Sequence, residues 1–160
     1  MLFGLDYTMR VQNEEQTIAI RDTMLESCVQ MVRTNAKFMQ RMHRVFSRYG
    51  VSGPQFDVLA TLHREEGMMQ QELAARLLVT KGNVTGVVNR MEALGWIERR
   101  PDLEDRRTNR LYLAEQGKVL FAEVNPKHDA LIYEVMAEFQ PDEVQAFRRL
   151  LQRLEDAVEK

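Results

Sequence analysis

Apolar residues recur at three- and four-residue steps along most of the chain. From about Thr17 to Tyr49 they fall at Leu25, Cys28, Val32, Ala36, Met39, Met42 and Phe46, one face of a long helix. Residues 1–16 show no such period, and a flexible N-terminal arm is expected there. Pro54 suits the first turn of a second helix, after Ser52-Gly53, which extends to about Glu66 with Phe56, Leu59, Ala60 and His63 on one face. Gly67-Met68-Met69 reads as an extended link before a short helix, Gln70 to Leu78. Thr80 is a good N-cap for a fourth helix, Lys81 to Leu94, with Gly95 closing it. Val84, Val87, Val88, Met91 and Leu94 are its inward positions.

The period then drops to two. Trp96 to Arg100 predicts a strand, Pro101 to Arg107 a polar turn, and Thr108 to Ala114 a return strand with Leu111 and Leu113 on one side. A helix from Glu115 to Phe139 follows, and Pro126 is expected to kink or split it. A last helix opens at Pro141-Asp142-Glu143 and carries Phe147, Leu150, Leu151, Leu154 and Val158 on one face. The predicted fold is mainly α: a winged helix-turn-helix with long terminal helices and one β-hairpin. Its expected divisions are an arm (1–16), a region of long helices (17–53 and 115–160) and the winged helix-turn-helix lobe (54–114).

Composition narrows the function classes. The longest apolar runs are four or five residues, too short for a transmembrane helix, and the first fifteen residues lack the apolar core of a secretory signal. A single cysteine excludes an internal disulfide framework and fits a reducing cytoplasm. His43, His63 and His128 form no metal motif. There is no glycine-rich phosphate loop and no nucleophile elbow, so neither an enzyme nor a cofactor is expected. The net charge of −2 means that any nucleic-acid binding must come from local charge. Residues 27–56 hold five bases and no acid, while residues 115–160 hold ten acids and six bases. The stripe Arg33 to Arg48 is expected to be a solvated face.

Two short helices followed by a hairpin would send the second helix into the DNA major groove. On the fourth helix, Gly82, Thr85, Gly86, Asn89 and Ala93 lie opposite the valines, flanked by Asn83 and Arg90. Such a face is small and has hydrogen-bonding tips. Asn can pair with adenine, Arg with guanine, and a Thr methyl can touch thymine. Arg106 and Arg107, with Arg110 behind them, suit phosphates or a narrow minor groove.

The runs Gln71-Glu72-Leu73-Ala74, Val79-Thr80-Lys81-Gly82-Asn83-Val84-Thr85 and Asn89-Arg90-Met91-Glu92-Ala93-Leu94-Gly95-Trp96-Ile97-Glu98-Arg99 carry a resemblance. With Asp105-Arg106-Arg107, Leu111-Tyr112-Leu113 and Gly117, they resemble the MarR (multiple antibiotic resistance regulator) family. Asp105, Arg107, Leu113 and Gly117 fit that family's wing signature. Ala114 and Met69 depart from it, each standing where a Thr or Ser is usual. The resemblance spans about residues 25–158. It implies a cytoplasmic, homodimeric transcription regulator, usually a repressor, dimerised through its first, fifth and sixth helices on near-palindromic double-stranded DNA. It assigns the major groove to Lys81, Gly82, Asn83, Thr85, Asn89 and Arg90, the minor groove to Arg106 and Arg107, and bracing of the wing to Asp105.

The same resemblance implies release by a small molecule, often an aromatic or phenolic acid. The matching pocket would draw on Met31, Asn35, Met39 and His43 of the first helix with Phe56, Leu59, Ala60 and His63 of the second. Core packing is the competing role for those methionines. One branch of the family senses hydroperoxides through a cysteine placed like Cys28, but Val32 and Met42 occupy the positions of its accompanying tyrosines. A buried, inert Cys28 is the alternative. From a different class, a helical dimer whose hairpin docks protein is the rival to DNA binding.

Overall fold

The computed structural model describes the backbone of residues 3–159 and the side chains of residues 20–80 and 82–159. In chain order the elements are α1 (Phe3–Ser47), α2 (Gly53–Arg64), β1 (Met68–Met69), α3 (Gln70–Arg76) and α4 (Lys81–Ala93). They continue with β2 (Ile97–Pro101), β3 (Asn109–Leu113), α5 (Glu115–Met136) and α6 (Pro141–Val158). The chain divides into two compact units, Met1–Arg41 and Met42–Lys160. The boundary falls inside α1, and residues 115–160 lie in the same unit as the winged lobe. α5 packs on α2 and β3.

The first unit is a single stretch of helix. Residues 3–16, expected as an arm, continue α1 to Phe3. They contain no proline, and extending an existing helix adds a hydrogen bond per residue without a new nucleus. Ile20, Met24, Leu25, Val29 and Val32 are exposed in spite of their helical spacing.

In the second unit α2 begins with a capping box. The Ser52 hydroxyl accepts from the Gln55 N–H at 3.4 Å, and Gln55 Oε1 accepts from the Ser52 N–H at 2.8 Å. Such reciprocal bonds satisfy two of the donors that a helix start leaves over. Leu59, Leu62, Leu73, Val88, Met91, Ile97, Leu111, Leu113 and Val124 are fully buried, so α2, α3, α4, β2, β3 and α5 share one core. Phe46, at the end of α1, stacks on Phe56 with 4.6 Å between ring centres.

The hairpin is part of a three-stranded antiparallel sheet in the order β1-β3-β2. Gly67-Met68-Met69, expected as a link, supplies its third strand: Met68 faces Leu111 and Met69 faces Arg110. On the other edge Ile97 pairs with Leu113 and Arg99 with Leu111. Pro126 does not split α5. Proline there removes one i to i−4 hydrogen bond, and buried residues lie on both sides of it, Phe121 and Val124 before and Leu131 after. The helix ends at Met136, short of the expected Phe139.

Gly117 sits where the chain leaves no room for a side chain. A Cβ built on it would lie 2.0 Å from the Trp96 carbonyl oxygen. That oxygen also accepts the Ala114 N–H at 3.0 Å. With Ala114 in place of a hydroxyl residue, α5 has no side-chain N-cap bond, and this backbone bond ties its start to the sheet.

Candidate nucleic-acid interface

The turn between α3 and α4 is Leu77 to Thr80. Leu78 adopts the left-handed region (φ 53°), which lets the Val79 N–H reach back to the Ala74 carbonyl at 3.2 Å. Thr80 then caps α4, its hydroxyl accepting from the Asn83 N–H at 3.4 Å. The far end closes with the Gly95 N–H on the Glu92 carbonyl and the Trp96 N–H on the Met91 carbonyl, both 2.9 Å, with Gly95 left-handed (φ 70°). Leu94, expected inward, is 46% exposed because it is the C-cap, where the helical face ends.

Val84, Val88 and Met91 turn α4 into the core. Gly82, Asn83, Gly86, Asn89 and Arg90 are exposed on its other side, and Thr85 is half-buried. A Cβ on Gly82 or Gly86 would meet nothing within 4 Å. An open recess of about 330 Å³ lies between the start of α2 (Ser52, Gln55) and α4 (Gly82, Asn83, Gly86, Val87, Arg90). Lys81 begins α4, but its side chain lies outside those described. The face therefore offers polar tips around bare backbone, with room for a bulky ligand to approach.

Behind it lies a network that sequence reasoning missed. Arg99, on β2, forms an ion pair with Glu92 of α4. Its Nη2 donates to Asn89 Oδ1 at 2.6 Å and to Gln70 Oε1 at 3.3 Å. Gln70 Nε2 donates in turn to Thr85 Oγ1 at 2.7 Å. Two of the expected base-reading side chains are thus anchored from beneath by α3 and β2.

The wing joins β2 to β3. Asp105 Oδ1 accepts from the Arg107 N–H at 3.0 Å and from Arg107 Nε at 3.3 Å, and Oδ2 accepts from the Thr108 hydroxyl at 3.2 Å. Arg106 and Arg107 are exposed, the Arg107 side chain 94% so. Sequence reasoning also missed Asp102. Its Oδ1 accepts from the Glu104 and Asp105 N–H groups at 2.8 and 2.9 Å, and its Oδ2 from Arg110 Nε. Those bonds hold its carboxyl down at about 2, with the Asp105 N–H the largest influence, then the Arg110 guanidinium and the Glu104 N–H. The Pro101-Asp102 pair was the available signal, because Asp after Pro readily folds its own backbone into a turn. Arg110 is half-buried and also donates to the Gly67 carbonyl at 2.7 Å, so it locks the sheet instead of backing the wing arginines toward a ligand.

The residues expected to line an effector pocket have diverse placements. Met31, Asn35 and Met39 are exposed on α1 in the first unit. In the second, His43 and His63 are exposed and Ala60 is half-buried. Phe56 and Leu59 are core residues: Phe56 is stacked against Phe46 and Phe121 and lies 4.6 Å from the His128 ring. Cys28 is a free thiol and is exposed, not buried as in the inert alternative, because the α1 face that holds it is uncovered in the single chain. Arg33, Lys37, Arg44 and Arg48 are exposed, as a solvated stripe would be. Among the described residues no helix is long and apolar enough to cross a membrane.

Comparison with known proteins agrees with this architecture. The MarR family model matches residues 49–108. The transcriptional regulator PecS of Dickeya dadantii is 30% identical over 117 residues, which cover 71% of this chain and 70% of PecS. The crystal structure of a MarR family transcription regulator superposes with a TM-score of 0.79 at 21% identity, covering 89% of this chain and 95% of that one. A mutant of Escherichia coli MarR complexed with operator DNA superposes with a TM-score of 0.73 at 24% identity, covering 78% of this chain and 89% of that one. With its mainly helical fold, three-stranded wing sheet and this similarity over most of its length, the chain belongs to the MarR family of helix-turn-helix transcription regulators.

Proposed function

We propose that the protein is a homodimeric, sequence-specific DNA-binding regulator that acts as a repressor in the cytoplasm. The observation that carries this reading is the exposed side of α4, where Gly82 and Gly86 leave bare backbone between Asn83, Asn89 and Arg90. A helix that enters a groove about 12 Å wide needs a low profile with hydrogen-bonding tips. Glycine inside a helix costs up to about 1 kcal/mol relative to alanine, and a close approach to DNA is a reason to retain two. Lys81, Asn83, Thr85, Asn89 and Arg90 then read the major groove, and Arg106 and Arg107 reach phosphates or the minor groove. The MarR mutant bound to operator DNA shares this fold, which supports the assignment. In a two-fold dimer each half-site is read once, so the operator is a near-palindrome. A small-molecule effector would act by favouring dimers whose two α4 helices no longer match successive major grooves.

The test is fluorescence anisotropy against a site selected from random DNA, at two salt concentrations. Arg107→Ala should weaken binding to all sequences alike and reduce the salt slope by about 1. Failure of wild type to enrich any site, or binding that ignores salt, would point to a protein-docking module instead.

A further inference from the structure

We infer that Arg99 sets the base preference of α4 by turning the Asn89 carboxamide so that its amide protons face outward. Asn89 then reads a base edge rich in acceptors, guanine or thymine, and not adenine. The inference rests on the DNA-reading role of α4 proposed above.

Proton counting supports it. A guanidinium has five donors and no acceptor, so whatever a carboxamide presents to it must be the oxygen. Arg99 Nη2 lies 2.6 Å from the Asn89 side chain and 3.3 Å from that of Gln70, which fixes both amides the same way. The nitrogen of Gln70 is then the atom that donates to Thr85 Oγ1, as observed at 2.7 Å. Arg99 is itself held by the ion pair to Glu92 one turn along α4, and its side chain is only 22% exposed. It is a positioning residue beneath the face, drawing on α3, α4 and β2 together.

The usual pairing of Asn with adenine needs both amide atoms on the base: Oδ1 accepts from N6 while Nδ2 donates to N7. Here one of the two lone pairs of Oδ1 is taken by a charge-assisted bond, stronger than a neutral one, which holds the oxygen toward Arg99 and leaves the amide nitrogen as the end presented to a base. Asn89 Nδ2 has no protein partner among the described residues. Two outward donors match N7 and O6 of guanine, or O4 of thymine.

The experiment is selection of bound sites from a random DNA pool by the full-length wild type and by Asn89→Ala, Asn89→Asp and Arg99→Met. The column that flattens in Asn89→Ala is the one beneath this residue. In wild type it should hold guanine or thymine. Asn89→Asp keeps an oxygen for Arg99 but replaces the outward donor with an acceptor, so the column should move to cytosine or adenine by about tenfold. Arg99→Met should leave the remaining columns and admit adenine at this one, a change confined to one base pair that general destabilisation would not produce. Should Arg99→Met fail to fold, the exposed Asn89→Asp decides alone. Adenine in the wild-type column, or an unchanged column in Asn89→Asp, overturns the inference. A wild type that selects no motif overturns the DNA-reading role itself.

Discussion

Gly117 shows how a single missing side chain can join two elements. By helix propensity, alanine inside α5 would be better by up to about 1 kcal/mol. Packing reverses the sign. The new Cβ would fall 2.0 Å from the Trp96 carbonyl, a backbone atom that cannot swing aside. Overpacking of this kind typically costs about 1–3 kcal/mol. Gly117→Ala should therefore lower Tm by several degrees in a calorimetric scan, at about 2–4 °C per kcal/mol for a chain of this size. An unchanged or higher Tm would mean that α5 is free to move off Trp96. The sequence contained this glycine but not its reason, because the contact joins positions 96 and 117 through space. Arg99 was equally hidden. Asn89 and Glu92 share a face of α4, but only the fold brings that face to Gln70 of α3 and to Arg99 of β2.

At the level of elements, strong period and strong caps were legible. α2, α4 and α6 begin where Pro54, Thr80 and Pro141 indicated. β1 was not, since two residues have no measurable period and their partner lies on a distant strand. The start of α1 was not, since propensity extends that helix without an amphipathic pattern. The wing depends on charge as well as on hydrogen bonds, and its pH response follows. Asp102 is held from an ordinary 3.8 down to about 2. A lowered folded-state value means that its stabilisation is complete above about pH 4 and is lost as pH falls toward 2. Asp102→Asn should melt below wild type at pH 7, and the two melting curves should converge as pH approaches 2. Parallel curves across that range would show that the Asp102 charge does not hold the wing.

For the whole molecule, the uncovered apolar residues carry the most weight. On α6, Phe147, Leu150, Leu151, Leu154 and Val158 keep helical spacing yet are 40–79% exposed. The proposed dimer would cover them. Burying a leucine contributes about 1.5 kcal/mol or more, and two per protomer would shift the dimer Kd by more than about a thousandfold. Leu150→Lys with Leu154→Lys should leave a monomer by light scattering, with α2 to α5 still folded by circular dichroism. An unchanged mass would place the dimer contact elsewhere on the chain.

The strand at Met68–Met69 has a wider consequence. β3 is bonded on both edges, to β1 and to β2, and β1 runs directly into α3, whose first residue, Gln70, braces Thr85. Wing and reading helix are thereby clamped to the same strand, like the two jaws of a caliper set at a fixed gauge. In the proposed role the lobe measures length as well as chemistry. An operator half-site that presents its phosphates and its base edges at one separation would suit this arrangement, since wing and reading helix are tied to the same strand.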